Sequence, residues 1–161
     1  MKEIELSQGK RALVDAEDYE GLNQWKWSAL RDKGGRCFYA VRSYQDGKKR
    51  QLTYMHRQIM GAQSGQEIDH QDGNGLNNRR ANLRFCTRGQ NSANRKKRAG
   101  CTSEFKGVSW RDKKWRAKIY VHSKQHHLGM FTDEEEAARS YNDAATELFG
   151  EFARLNVLPA K

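Results

Sequence analysis

Glu67-Ile-Asp-His70, the polar run Gln71-Asp-Gly-Asn-Gly-Leu-Asn-Asn78, then Leu83-Arg-Phe-Cys86 and Thr87-Arg-Gly-Gln90 decide how this chain folds. Two short segments carrying apolar residues flank a stretch of Gly, Asn and Asp, the pattern of two strands joined by a loop. Thr87 and Gln90 have capping-box spacing: the hydroxyl bonds the amide three residues on and the glutamine reaches back. A helix from about Arg88 to Lys97 is therefore expected. Strand, loop, strand and helix make a ββα unit.

Upstream, Ile4 to Tyr54 reads as short strands and turns. Arg11-Ala-Leu-Val14 is brief and apolar, whereas Asp15 to Gly21 is acidic and turn-like. Trp25 alternates with Trp27, and Phe38 with Ala40, which assigns these residues to the core of a small sheet; Asp46-Gly47 marks a hairpin turn.

Downstream, Arg95-Lys-Lys-Arg98 runs into Ala99-Gly100, four like charges and then a breaker. A solvated helix end and a linker touching phosphate through Arg95, Lys96 and Lys97 fit this run equally well. The expected division is residues 1–98, with the ββα core at about 54–97, a linker at 99–103 and a second module at 104–158. In that module Trp115, Ala117, Ile119 and Val121 alternate with Arg116, Lys118, Tyr120 and His122, a half-buried strand with a basic outer face. Lys106 to Arg111 and His126 to Phe131 are its neighbours. Thr132-x-x-Glu135 is a second capping box, opening a helix whose apolar positions are Ala138, Tyr141, Ala145 and Leu148 and which Gly150 closes. The fold class is α+β: an N-terminal small β region and a ββα core, then a three-stranded antiparallel sheet packed on one helix.

Charge narrows the function. Thirty Lys and Arg against twenty Asp and Glu give +10 and a pI near 9.7, with a mean hydropathy of −1.05. Such a chain suits a polyanion, because neutralising phosphates releases condensed counterions. No long apolar run or basic amphipathic helix supports a membrane partner, and no obligate protein partner is evident. The charge is also divided. Glu104 to Lys124 holds seven Lys or Arg against two acids, and Asp133 to Glu151 holds seven acids against Arg139. The sheet should attract phosphate while the helix behind it repels phosphate. Cys37, Cys86 and Cys101 form no C-x-x-C pair, and Met1-Lys-Glu-Ile-Glu-Leu6 has no apolar h-region, so the expectation is a cytoplasmic protein of a bacterial or phage-infected cell, not a secreted one.

Ile68-Asp-His70, the Gly-Asn loop, Arg80-Ala-Asn-Leu83 and Asn91-x-x-Asn94-Arg95 resemble the HNH endonucleases, in the branch common in phage and intron-borne homing enzymes. Met55-His-Arg57 resembles a segment that precedes the motif in that branch, so the likeness runs from about Tyr54 to Arg95. Phosphodiester hydrolysis needs a nucleophilic water and a cation to neutralise developing charge. The resemblance makes His70 the base, and an unperturbed imidazole near pKa ~6.5 is competent for that at neutral pH. It makes Asp69 and Asn91 the oxygen ligands of Mg²⁺, for which Mn²⁺ substitutes. Asn82 is the central Asn that braces the loop and orients the base. His56 either contacts the active-site phosphate, supports the base or simply packs, and Asn94 packs the helix onto the hairpin.

Lys106-Gly-Val108, Trp115-x-Ala-x-Ile119, Leu128-Gly-x-Phe131 and Glu135-Glu-Ala-Ala138 through Tyr141, Ala145, Gly150 and Asn156 resemble the plant ethylene-response-factor DNA-binding domain. That family lays its sheet in the major groove. The likeness, with the alternation, turns Arg111, Arg116, Lys118, Tyr120 and His127 toward DNA, with Lys113 and Lys114 near the hairpin tip. Ser109, Lys118, Tyr120 and His127 replace residues that are Arg, Glu or Trp in the plant proteins, so the plant target does not carry over. The function expected is a metal-dependent DNA endonuclease, of homing or mobile-element type, with an attached reader of double-stranded DNA. The rivals are a non-catalytic DNA-binding regulator on an HNH scaffold and a structure-specific or RNA-directed nuclease. Exposure of Trp110 or Tyr120 as stacking platforms would favour single strands.

Overall fold

In the computed structural model, which describes residues 1–35, 37–47, 49–97 and 100–159, the sequence around His70 forms the expected hairpin. Its strands are Glu67–His70 and Leu83–Cys86, paired antiparallel with Asp69 opposite Arg84 and His70 opposite Leu83. The chain is α+β and divides into two compact units, Met1–Thr87 and Arg88–Lys161.

In the first unit β1 (Lys2–Glu5) pairs antiparallel with β2 (Arg11–Val14). Helix α1 (Ala16–Asn23) follows. A three-stranded sheet is built from β3 (Ser28–Arg31), β4 (Phe38–Asp46) and β5 (Lys49–Tyr54), in that order. Helix α2 (Met55–Ile59) leads to the hairpin strands, β6 (Glu67–His70) and β7 (Leu83–Cys86). Ile4, Val14, Trp27, Met55, Ile68 and Leu83 share one core, so the small β region and the hairpin are stabilised together. Trp27 Nε1 donates to the Leu22 carbonyl at 2.8 Å, satisfying the polar atom of a ring that is 2% exposed. Truncating such a ring to alanine costs about 3–5 kcal/mol.

Two expectations for this unit are corrected. Residues 15–21 are not a turn: Asp15 sits in extended backbone as the N-cap, and Glu17 and Asp18 occupy a first turn whose dipole favours acids. Leu22 anchors the helix in the core. The second correction concerns Trp25, which is 45% exposed; its ring lies under the Arg42 guanidinium, 4.4 Å from the centroid, while Trp27 alone of the pair enters the core.

In the second unit α3 (Arg88–Ala93) precedes an antiparallel sheet of order β10-β9-β8, with β8 at Val108–Arg111, β9 at Lys114–Val121 and β10 at Lys124–Phe131. Helix α4 (Glu134–Phe149) packs on it through Ala137, Ala138, Tyr141 and Ala145, against Val108, Ala117 and Ile119. Gly107, at φ +81, is obligatory: a Cβ there would lie 2.1 Å from the Tyr141 ring. Both hairpin turns place two non-glycine residues at positive φ, Asp112-Lys113 and His122-Ser123, the geometry that matches strand twist.

Here too the expectations need adjustment. Helix α3 ends at Ala93, not Lys97. The cap of α4 is Asp133, whose carboxylate accepts the Glu136 amide at 2.8 Å, because a carboxylate one residue after Thr132 faces the helix dipole as well. Leu148 is 46% exposed, and Ala137, outside the expected apolar set, is buried. Arg98 and Ala99, the end of the basic run and the start of the expected linker, lie outside the described residues. No helix among the described residues is long and apolar enough to cross a membrane.

Candidate active site

The β6–β7 hairpin presents Asp69 and His70 as consecutive strand residues, buried at 5% and 6% exposure. Asp69 Oδ2 accepts from Arg84 Nε at 3.1 Å and Nη2 at 2.9 Å, a paired, hydrogen-bonded charge of the kind an interior tolerates.

The loop between the strands is organised by Asp72 and Asn82. Asn82 Nδ2 donates to Asp72 Oδ1 at 3.0 Å and to the Asn77 carbonyl at 2.8 Å, and Asn82 Oδ1 accepts the Asp72 amide at 3.1 Å. Asn77 Nδ2 donates to Asp72 Oδ2 at 2.7 Å. Burial alone would raise the Asp72 carboxyl, but the donors on Asn77, Asn74 and Asn82 and the nearby His70 outweigh it and hold it below its usual range. These bonds tie Asn82 to Asp72 and Asn77 of the loop.

The loop is also stitched to the N-terminal β region. Leu13 on β2 donates its amide to the Leu76 carbonyl and accepts from the Asn78 amide, both at 2.8 Å. Arg80 donates its amide to Asp15 at 2.8 Å and its guanidinium to Asp18 at 2.6 and 2.9 Å. Gly75 lets the loop lie on β4, since a Cβ would come within 2.5 Å of the Phe38 carbonyl and 2.6 Å of the Tyr39 ring.

His70 Nε2 faces Asn78 Oδ1 at 3.4 Å, and Asn78 is fully buried. His56, from α2, meets the His70 ring edge to face with centroids 4.9 Å apart. Tyr39 lies 5.8 Å from His56 and 5.9 Å from His70, and Tyr54 lies 5.5 Å from His56. Burial, the His70 charge and Arg57 push the His56 imidazole down to about 3. Burial also lowers His70, against the opposing pull of Asn78, Asp72 and Asp69. Both rings are neutral at neutral pH, and His70 is therefore not the unperturbed imidazole expected from sequence. Among the described residues, His56 Nδ1 and Asn78 Nδ2 are buried without a hydrogen-bond partner.

Asp69 is the acid among the buried polar residues of the hairpin, and among the described residues no group of three or more His, Cys, Asp and Glu forms a metal cluster. One carboxylate with amide oxygens fits a hard cation that completes its shell with water and phosphate, as Mg²⁺ does. Asn91 and Asn94 belong to the second unit. Asn91 lies half-buried within α3; Asn94, just past the helix end, is buried and donates its amide to the Gln90 carbonyl at 3.1 Å.

On the sheet of the second unit, the register sorts the expected DNA contacts. Arg111 pairs with Lys114, Ser109 with Arg116, His127 with Lys118 and Gln125 with Tyr120, so these residues share one face; Lys113 sits in the turn. Tyr120 is 55% exposed there, its hydroxyl 3.1 Å from Gln125 Oε1. Trp110, 48% exposed, pairs with Trp115 on the opposite face. Arg95 and Lys96 are exposed and Lys97 half-buried.

Comparison with known proteins agrees with the hairpin geometry. A model of the HNH endonuclease family matches residues 55–93. A protein of Acanthamoeba polyphaga mimivirus named uncharacterized HNH endonuclease L560 is 33% identical over 151 residues, 92% of this chain and 75% of that protein. The chain belongs to the HNH endonuclease family. As a DNA endonuclease of that family it carries the matched segment from α2, with His56, through α3, with Asn91. Protein 3.8 of Escherichia phage T7 is 39% identical over 92 residues, 56% of this chain and 75% of that protein. An ethylene-responsive transcription factor-like protein of Arabidopsis thaliana is 51% identical over 41 residues, only 26% of this chain and 18% of that protein. No solved structure matches the endonuclease.

Asn78, Asp72, Tyr39 and Tyr54 are the site residues that sequence reading passes over. The Asn77-Asn78 pair beside Arg79 carried a signal, because an Asn with no turn to cap is a candidate for a buried bond. The tyrosines carried none, lying on a separate sheet.

Proposed function

We propose that this endonuclease hydrolyses double-stranded DNA with a divalent cation, Mg²⁺ or Mn²⁺, and that its C-terminal module, residues 104–158, holds it on chosen DNA. His70 is the general base. With Nε2–H donated to Asn78 Oδ1, Nδ1 carries the lone pair that takes the proton of the attacking water. The water oxygen bonds to phosphorus as the bond to the leaving sugar oxygen breaks. Burial keeps His70 unprotonated, hence available as a base, before DNA arrives. A bound cation would neutralise charge on the phosphate and the leaving oxygen. Asp69 would hold it, steered by Arg84, and the motif assigns Asn91 as the second oxygen donor. Asn82 keeps the loop closed around the base, and His56 offers its buried Nδ1 edge to the phosphate or supports His70.

The observation that carries this reading is the pair of buried imidazoles, His56 and His70, with ring centroids 4.9 Å apart, inside the matched family segment that also holds the buried Asp69. A DNA-binding scaffold without chemistry needs none of the three. The test is nicking of supercoiled plasmid in Mg²⁺, Mn²⁺ or EDTA. Metal-dependent nicking is expected, and plasmid bound but uncut under every metal would return the chain to the regulator reading.

The basic face of the sheet supports duplex binding, with Arg111 and Arg116 suited to guanine edges and Lys114 and Lys118 to phosphate. Ser109 Oγ and Arg116 Nε, on paired residues of this face, are buried without a hydrogen-bond partner among the described residues. Exposed Tyr120 and Trp110 favour a second reading, stacking on single strands. They lie on opposite faces, so they cannot stack successive bases together. Competition of labelled duplex by unlabelled single strands or RNA separates the two readings. A homing or mobile-element role in the cytoplasm of a bacterial or phage-infected cell suits the motif's branch and the viral relatives.

A further inference from the structure

A six-residue helix does not hold itself. Nucleation is unfavourable, and the last carbonyls of a helix have no partner within it. Helix α3 has this length, yet it carries Asn91. Its C-terminal end is held from outside. The Ala93 carbonyl accepts from Lys106 Nζ and, at 3.3 Å, from the Arg154 amide. The Asn94 carbonyl accepts from Arg154 Nη1 at 3.5 Å. Two cations therefore sit at the negative end of the helix dipole.

Lys106 is itself held on both sides. Its amide donates to Asn156 Oδ1 at 2.6 Å, and its carbonyl accepts from Asn156 Nδ2 at 3.1 Å. Asn156 is gripped in turn by Asn142 of α4: its amide donates to Asn142 Oδ1 at 2.8 Å and its carbonyl accepts from Asn142 Nδ2 at 3.0 Å. The hydrogen-bond chain thus runs from α4 through Asn156 and Lys106 to the last carbonyl of α3. Burying an ammonium costs free energy that only a partner offsets. Burial, with Arg154 nearby, pushes Lys106 down to about 8, which marks the position as one where solvation has been given up for this contact.

We infer that Lys106 and Arg154 are positioning residues of the endonuclease, clamping the end of α3 to the C-terminal module and so fixing the helix that bears Asn91. The inference rests on the proposed role of Asn91 at the site. The module then does more than hold DNA: the piece that carries the basic sheet also keeps the last element of the nuclease motif in place, and loosening one loosens the other.

The test uses the full chain with Lys106→Met, Arg154→Met and the pair together, with Lys106→Arg as the conservative variant. Amide exchange is followed in residues 88–94 and in α4, alongside kcat and KM for plasmid nicking. The double variant should exchange at least about tenfold faster in α3 with α4 unchanged, and its kcat should fall about tenfold while KM stays within about twofold. Lys106→Arg should recover most of both. Unchanged exchange in residues 88–94, or faster exchange with kcat preserved, overturns the inference. A wild-type chain that does not nick refutes the nuclease reading instead; exchange alone then decides the clamp, for if faster and against if not.

Discussion

The hairpin site of the first unit and the sheet face of the second both present polar residues, but on opposite physical terms. Around His70, Asp69, Asn78 and Asn82 are buried, and Asp72, itself exposed, is tied to Asn77 and Asn82; the bonds of the buried residues depend on their neighbours. On the sheet, Arg111, Lys114, Tyr120 and His127 are exposed, and so are the contacts of Arg111 with Asp112 and of Tyr120 with Gln125. Buried networks fail as a unit, because removing one partner strands another away from water. Exposed charges subtract one by one and are screened by salt. On the proposed function, one region serves chemistry and the other adhesion.

Substitution at Asn82 should separate them most widely. Asn82→Ala strands the buried Asn77 carbonyl and takes a donor from the exposed Asp72, so stability should fall by about 1–3 kcal/mol in urea unfolding, and nicking should fall at least about a hundredfold. A loss no larger than that of a surface lysine would mean the loop does not depend on its brace.

Acid should find the same region first. His56 is held near 3 in the fold against 6.5 unfolded, so the chain binds a proton more readily when unfolded. The stability tied to neutral His56 is complete above about pH 6.5 and is lost as pH falls toward 3. Between pH 7 and pH 5 the loss should be about 2 kcal/mol. His56→Phe should flatten that slope in thermal melts; an unchanged slope would rule out His56 as its source.

Arg84→Met tests how the carboxylate is shared. Freed of its pair, Asp69 is left buried and less well oriented, so the Mg²⁺ concentration for half-maximal nicking should shift several-fold while DNA affinity holds. No shift would place the cation away from Asp69.

The smallest effects belong to the sheet. Lys114→Ala or Lys118→Ala should weaken duplex binding a few-fold and reduce the slope of log affinity against log salt by about one phosphate's worth, about 0.9. Saturating kcat should not change. If either variant abolished nicking at saturating DNA, the division between adhesion and chemistry would be lost.

Much of this was legible in the chain because it depends on near neighbours. The strands at 67–70 and 83–86, the loop between them and the alternation of Trp115 to Val121 are local patterns, and they fold as read. Asp133 in place of Thr132 as the cap of α4 is a competition between adjacent oxygens that spacing does not decide. The α1 helix was hidden by its acids, which suit a turn and a helix start equally. Tyr39 and Tyr54 join the site through a sheet remote in sequence, and the low basicity of His70 follows from burial, which no motif reports.

The central claim is that His70 performs the chemistry in a site already assembled. Single-turnover cleavage of supercoiled plasmid in Mg²⁺, wild type against His70→Ala, tests it most directly, with plasmid binding and melting measured on the same samples. The expected result is nicking slowed at least about a thousandfold with binding unchanged and melting still cooperative, lowered only by the loss of the buried ring. Nicking within about threefold of wild type would contradict it and place the base elsewhere.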